Sequence, residues 1–327
     1  MATSIENKIT EDQILYIHTR KIPAIKSLIE ALKEIFRDVS IKFTPKIDKP
    51  TEGDPSKVRS SGGMYITAIN SSSNILVRLH LEADKFCYYK CEPENQKNYL
   101  MLGVNMSNLF KLIKFLNNDD ELYMIYNKTS QNLLNLQYVN NQKRSTTNYY
   151  LNLLDLREDN IIIGKQKFDF VISMPSGDFH TLIKNMSVIA ENVDIKFINL
   201  EESYSLIFSC QGEFAQQETV FDGSTNIQND SNAITVLKNN EDDDNEEAND
   251  GSNIVQGVYA LSALSLFSRC SSLCPTIELY IRNDSPLVIK YRVADMGSVH
   301  LILSPINDGV DINNESDDGG SDEDNDI

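Results

Sequence analysis

Four stretches of this chain repeat one apolar spacing, and the intervals between them are nearly equal. Ile22–Phe36 places Ile25, Leu28, Ile29, Leu32, Ile35 and Phe36 on one stripe. Met106–Leu116 does the same with Leu109, Leu112, Ile113 and Leu116. Gly177–Ala190 does it with Phe179, Leu182, Ile183 and Met186, and Val258–Arg269 with Leu261, Leu264 and Phe267. Each follows the i, i+3, i+4, i+7 rule of an amphipathic helix. Their starts, at 22, 106, 177 and 258, are 84, 71 and 81 residues apart, much too far for a solenoid repeat. Between them the text alternates apolar and polar residues, as in Met64–Ile69, Ile75–Leu81 and Asn148–Leu154, which is strand patterning. Strand, helix and several strands, four times over, predict an α+β fold with antiparallel sheets rather than a doubly wound parallel sheet. Pro175 is expected to end a strand and Ser176 to cap the third helix.

At 327 residues, 41% of them hydrophobic, the chain can build two domains with a sizeable core. It holds no apolar run of about 18 residues, so no membrane-spanning helix is expected. Its start carries Glu6, Glu11 and Asp12 and lacks the apolar stretch of a secretory signal. The net charge of −18 is unevenly distributed. Ile306–Ile327 holds nine acidic residues and Glu241–Asp250 holds seven, and neither contains Lys or Arg. Removing these 16 charges leaves the body at −2, so its bases can be concentrated on one surface. Both acidic runs are expected to be solvated and disordered. Five cysteines, Cys87, Cys91, Cys210, Cys270 and Cys274, point to reduced thiols. The two Cys-x3-Cys spacings lack a partner pair placed to close a tetrahedron, so no metal site is expected.

The four predicted helices share a sign bias. Lys26 and Lys33 lie on the first, Lys111 and Lys114 on the second, Lys184 on the third, and Arg269 ends the fourth; Glu30 and Glu34 dilute the first. If the helices line one concave surface, these bases form a strip that attracts phosphate without reading sequence. No paired Arg, Asn or Gln of a recognition helix is evident. Catalytic signatures are missing too. The four histidines are widely spaced, and there is no phosphate-binding glycine loop, no His-Glu-x-x-His and no Gly-x-Ser-x-Gly. The expectation is a non-enzyme with no catalytic residues and no cofactor. The stretch Asp155–Lys167 fits neither period and reads either as a linker resting its apolar part on a surface or as a strand preceded by a turn.

Three separated segments, Gly103–Lys114, Ser173–Phe179 and Pro286–Gly297, occur in the right order to resemble eukaryotic-type DNA sliding clamps, the proliferating cell nuclear antigen family. The likeness extends over about Ile14–Ile306. It implies an N-terminal extension (1–13), a clamp domain (14–154), an interdomain connector loop (155–168), a second clamp domain (169–306) with an acidic insertion at about 229–253, and an acidic tail (307–327). Each domain would hold two β-α-β-β-β units, with sheets outside and helices lining a ring of three identical subunits. Lys26, Lys33, Lys111, Lys114, Lys184 and Arg269 would then face double-stranded DNA. Ser27, Thr181 and Ser262 stand where the family often has further bases, which implies a less positive pore.

The resemblance also implies a pocket for client peptides under the connector, formed by Ile69, Ile161, Ile163, Pro286, Ile302 and Pro305 with Ser304 beside them. Ile69, Ile161 and Ile302 replace the family's usual Met, Leu and Tyr, and Gly164 stands where a Pro is usual. Subunit contacts would involve Tyr149, Leu151 and Leu153 around Thr147–Leu153, and the segment Phe214–Phe221. Implied partners are a DNA polymerase, other client proteins and a clamp loader, with no membrane. The implied location is the nucleus, or a viral replication compartment. The alternative is a clamp subunit that works as a monomer, in a heterotrimer or in a checkpoint-type ring. The added loops around Lys46–Ser61 and Asn229–Asn253 have no counterpart in the family.

Overall fold

The computed structural model describes residues 10, 12–51, 54–70, 72, 74–93, 98–157, 161, 167–200, 203–224, 234–237 and 253–306, with backbone alone for 48–61 and 224. The 1–9 segment, most of the acidic insertion and the 307–327 tail therefore lie outside the described residues.

The first half runs β1 (Gln13–Thr19), α1 (Ile22–Ile35), β2 (Asp38–Thr51), β3 (Asp54–Ile69), β4 (Ile75–Glu82), β5 (Tyr88–Cys91), β6 (Leu100–Asn105), α2 (Met106–Ile113), β7 (Glu121–Asn127), β8 (Leu133–Asn140) and β9 (Ser145–Asn152). The second half runs β10 (Phe170–Pro175), α3 (Ser176–Ile189), β11 (Asn192–Asn199), β12 (Ser203–Gln211), β13 (Gln216–Ser224), β14 (Thr235–Leu237), β15 (Ile254–Ala260), α4 (Leu261–Ser268), β16 (Thr276–Ile281), β17 (Leu287–Val293) and β18 (Gly297–Leu303). A strand, a helix and a group of antiparallel strands recur four times, giving an α+β architecture.

Local chemistry accounts for the helix boundaries. Pro23 fits the first turn of α1, where its missing N–H costs nothing. The Asn105 side chain caps α2 by accepting the Asn108 N–H at 3.0 Å. That helix stops at Ile113, short of Leu116, because the chain tightens into a turn that bonds Phe115 N to Leu112 O and Leu116 N to Ile113 O. α4 starts at Leu261 rather than Val258, because Val258–Ala260 are held in β15 by pairing with β11. Ser176 is not a cap. It is the first residue of α3, and its buried hydroxyl lies within bonding distance of the Ser271, Cys274 and Pro275 carbonyls, with Cys274 O nearest at 2.6 Å. It ties α3 to the turn after α4.

The strands form three sheets, of orders β5-β1-β7-β8-β9, β14-β10-β16-β17-β18-β4-β3-β2-β6 and β13-β12-β11-β15. The central nine-stranded sheet joins the halves through β18 and β4, in unbroken register from Gly297↔Leu81 to Leu303↔Ile75. One face of each sheet is apolar and packs on the helices, as in β12, where Tyr204, Leu206, Phe208 and Cys210 alternate inward. α1 packs on α2, α3 on α4, and α1 also reaches α4 and the short turn Arg269–Ser272 beyond it.

The added segment around Lys46–Ser61 is not a loop. It extends β2 and β3 into one long hairpin, registered from Ile41↔Ile66 out to Thr51↔Asp54, with irregularities between Thr44 and Ile47 and between Pro50 and Thr51. Of the acidic insertion, the described part contributes β14, which pairs with β10 at Val171↔Leu237.

Candidate nucleic-acid and partner interfaces

The six bases expected to meet DNA all lie on or just after helices, but they are not equally free. Lys111, Lys114 and Lys184 are exposed, and the Lys114 ammonium sits 5.1 Å from the centre of the exposed Phe115 ring. Lys26 is half-buried and donates to the Leu116 carbonyl at 2.9 Å, bracing α1 against the turn after α2. Lys33 and Arg269 converge on a single carboxylate. Glu34 Oε1 lies 2.6 Å from Lys33 Nζ, and Glu34 Oε2 lies 2.6 Å from an Arg269 guanidinium nitrogen. Lys33 also lies over the Phe110 ring, 4.5 Å from its centre. The bond from Lys33, backed by the charge of Arg269, holds the Glu34 carboxyl below the usual range against a smaller opposing effect of desolvation.

On the opposite face of the central sheet, the strand register assembles an apolar row. Ile69 pairs with Leu76, Leu76 with Ile302, Ile302 with Val288 and Val288 with Tyr280, so all five side chains point the same way. Ile69 is 43% exposed and Ile302 half-buried. Pro286 precedes β17, and Ser304 and Pro305 follow β18, all three half-buried at the same end of the sheet. Asn70 fixes the loop before β4, its side-chain oxygen accepting from Asn74 N at 3.1 Å and Ile75 N at 3.0 Å. Phe168 stacks edge-on against Tyr280, with ring centres 5.5 Å apart. Ile161 is half-buried, whereas Ile163 and Gly164 lie outside the described residues.

Among the described residues six strands lie at sheet edges, β5, β6, β9, β13, β14 and β15; β9 and β13 are the two that contain the segments expected to meet a neighbouring subunit. Along β9, Leu151 is buried in the protein's own core, and Tyr149 packs inward with its ring centre 5.0 Å from that of Tyr138. Leu153, just past the strand, is likewise half-buried against the core. The exposed side chain there is Tyr150, at 62%. Val220 on β13 is 45% exposed, and Phe214 is exposed just before that strand.

Residues 55–160 match the model of the proliferating cell nuclear antigen N-terminal domain, and residues 162–306 match that of its C-terminal domain. The chain belongs to the proliferating cell nuclear antigen family. It is 29% identical over 297 residues to "Probable DNA polymerase sliding clamp 1" of Paramecium bursaria Chlorella virus 1, covering 90% of this chain and 98% of that protein. It is 28% identical over 326 residues to "Probable DNA polymerase sliding clamp" of Acanthamoeba polyphaga mimivirus, covering 93% of this chain and 64% of that protein.

Two features of this family member escaped the sequence reading. Glu34 was legible only as a dilution of the helix charge, because its partner Arg269 is 235 residues away. The second is a cationic row beside the apolar one. Lys290 pairs with His300, His300 with Arg78 and Arg78 with Thr67, while Arg292 follows Lys290 on the same face. Strand alternation places these residues outward, but only the pairing register brings β17, β18 and β4 side by side.

Proposed function

We propose that this chain is a sliding clamp and polymerase processivity factor. Three copies close head to tail around double-stranded DNA, β9 of each pairing with β13 of the next and so covering both of these edges. The helices form the inner wall, where Lys26, Lys33, Lys111, Lys114, Lys184 and Arg269 attract the phosphate backbone without reading bases. The protein performs no chemistry of its own. It holds a DNA polymerase and other clients near DNA by topological linkage, which raises their effective concentration there. Clients dock a short peptide on the apolar row beneath the 155–168 connector, against Ile69, Ile161, Ile163, Pro286, Ile302 and Pro305 with Ser304 alongside. A clamp loader opens the ring. The site of action is wherever the genome is copied, the nucleus or, as the viral relatives suggest, a viral replication compartment.

The observation that carries this reading is the joint match of both halves to the two domains of the family, with a strand at a sheet edge in each half, β9 and β13, available for pairing among the described residues. Light scattering after gel filtration is expected to give the mass of three copies. Clamps loaded on nicked circular DNA are expected to persist and to slide off once the circle is linearised. A mass of one copy at micromolar concentration would favour the monomeric or heteromeric alternative. Retention on linear DNA with free ends would remove encirclement as the mode of binding.

A further inference from the structure

The geometry points to a second element of client recognition on the outer face. Arg78, supported by Lys290 and Arg292, reads a carboxylate carried by the client peptide next to its apolar anchors. This rests on the proposed function, because it concerns the surface on which clients dock.

Arg78 is two residues beyond Leu76 on β4 and so lies on the same face, about 7 Å along the strand from the apolar row. It is exposed and makes no ion pair among the described residues. Its neighbour across β18 is His300, which burial, together with the adjacent Lys290 and Arg78 charges, keeps neutral near pH 7. Beyond His300, Lys290 and Arg292 share one carboxylate, Glu278, at 2.9 and 3.2 Å. The nearest other carboxylate on β4, Glu82, lies beside Lys85 at 4.0 Å. Three cations against one partly buried carboxylate leave this patch positive on a chain whose net charge is −18.

An exposed guanidinium beside exposed aliphatic surface is matched by a peptide that pairs apolar anchors with an acid about one helical turn away. A nucleic-acid strand would also satisfy the charge, but it offers nothing to cover Ile69 and Leu76. The peptide is therefore the partner the surface favours.

The test uses the full chain and two labelled 16-residue peptides that share leucine and phenylalanine anchors at i and i+3. One carries Glu on both flanks and the other Gln. The Glu peptide is expected to bind about 5- to 10-fold more tightly at low salt, with the gap closing as salt rises. Arg78→Glu is expected to abolish or reverse the preference while leaving the Gln peptide's affinity unchanged. Equal affinities on the unaltered protein, or a preference that survives Arg78→Glu, would overturn the inference while leaving the pocket in place. Displacement of the Glu peptide by a 12-nucleotide single strand at the same concentration as unlabelled peptide would assign the patch to nucleic acid and also overturn it. Failure of both peptides to bind would remove the pocket reading and this inference with it.

Discussion

Glu34 on α1 and Arg269 at the end of α4 meet at 2.6 Å, joining the two halves of the chain on the helical side of the sheets. The same carboxylate engages Lys33 at 2.6 Å. Two of the six bases proposed to attract DNA are thus partly neutralised by one acid. Glu34→Ala frees both cations. Its expected effect is a 3- to 10-fold gain in affinity for duplex at low salt, with a log–log salt slope steeper by about 1 to 2. Fluorescence anisotropy across a salt series measures both. Unchanged affinity and slope would mean that Lys33 and Arg269 do not face DNA.

The seam between the halves depends on Gly297. This residue opens β18 at a φ of +155°, and a Cβ there would overlap the His80 carbonyl on β4. Gly297→Val is expected to lower the unfolding free energy by about 1–3 kcal/mol, more if the register of β18 against β4 is lost. Urea denaturation followed by circular dichroism measures it. A loss under about 0.5 kcal/mol would show that the backbone relaxes there freely.

His300 predicts an acid-sensitive window. Burial, then the Lys290 and Arg78 charges, lower its pKa from 6.5 to about 4, with Glu278 opposing. Between those values the unfolded chain binds a proton that the folded chain refuses, so stability falls as pH drops from 6.5 to 4 and this contribution is constant outside that range. The loss from this group is of order 3 kcal/mol. His300→Gln cannot titrate and is expected to flatten that limb of the stability profile. Glu278 adds a separate loss. Burial would raise its carboxyl, but bonds from Lys290, Tyr280 and Arg292 hold it below its usual range, so its contribution disappears only at lower pH, as that carboxyl is protonated. An identical profile for His300→Gln between pH 6.5 and 4 would refute the assignment to this ring.

Most of the fold was legible because both periodicities are strong. Of the stripe that spacing predicts for the first helix, Ile25, Leu28, Ile29, Leu32 and Phe36 are buried and Ile35 is half-buried. The errors have physical causes. Leu116 keeps helical spacing, but the chain has already left α2, and its carbonyl is used by Lys26. Val258–Ala260 suit a helix by composition, yet hydrogen bonding to β11 claims them. The hairpin beyond Thr44 reads as a loop because Pro, Lys, Asp and Ser dominate it, and pairing supplies what propensity lacks. At the β9 edge, alternation showed two faces without saying which is covered. Tyr149, Leu151 and Leu153 turn toward the core and Tyr150 outward, which the alternation alone did not decide. The charge network around Glu34 and the row holding Arg78 depend on contacts between distant segments, which no local pattern encodes.

The docking row makes its own demand. Ile69 is 43% exposed at the end of β3, so Ile69→Asp puts a charge on the proposed client-docking row at little cost to the fold. Affinity for an apolar-anchored peptide is expected to fall at least 10-fold, with subunit association and DNA retention intact. Isothermal titration together with light scattering checks both. Unchanged peptide affinity would place the client site elsewhere.

The strand edges give the strictest test of assembly. Tyr150 on β9 and Val220 on β13 are both exposed apolar side chains on strands with one unpaired side, and they lie in different halves of the chain. If these edges meet between subunits, acids on both sides would face one another across the new ladder, and like charges at close range destabilise a strand pair. The double variant Tyr150→Asp, Val220→Asp is expected to shift the particle from three copies to one at micromolar concentration. Because both side chains point outward, its thermal melt should stay within a few degrees of that of a single folded subunit. Light scattering after gel filtration reads the copy number, and circular dichroism confirms the fold. A variant that remains trimeric would place the subunit contact on some surface other than these two edges.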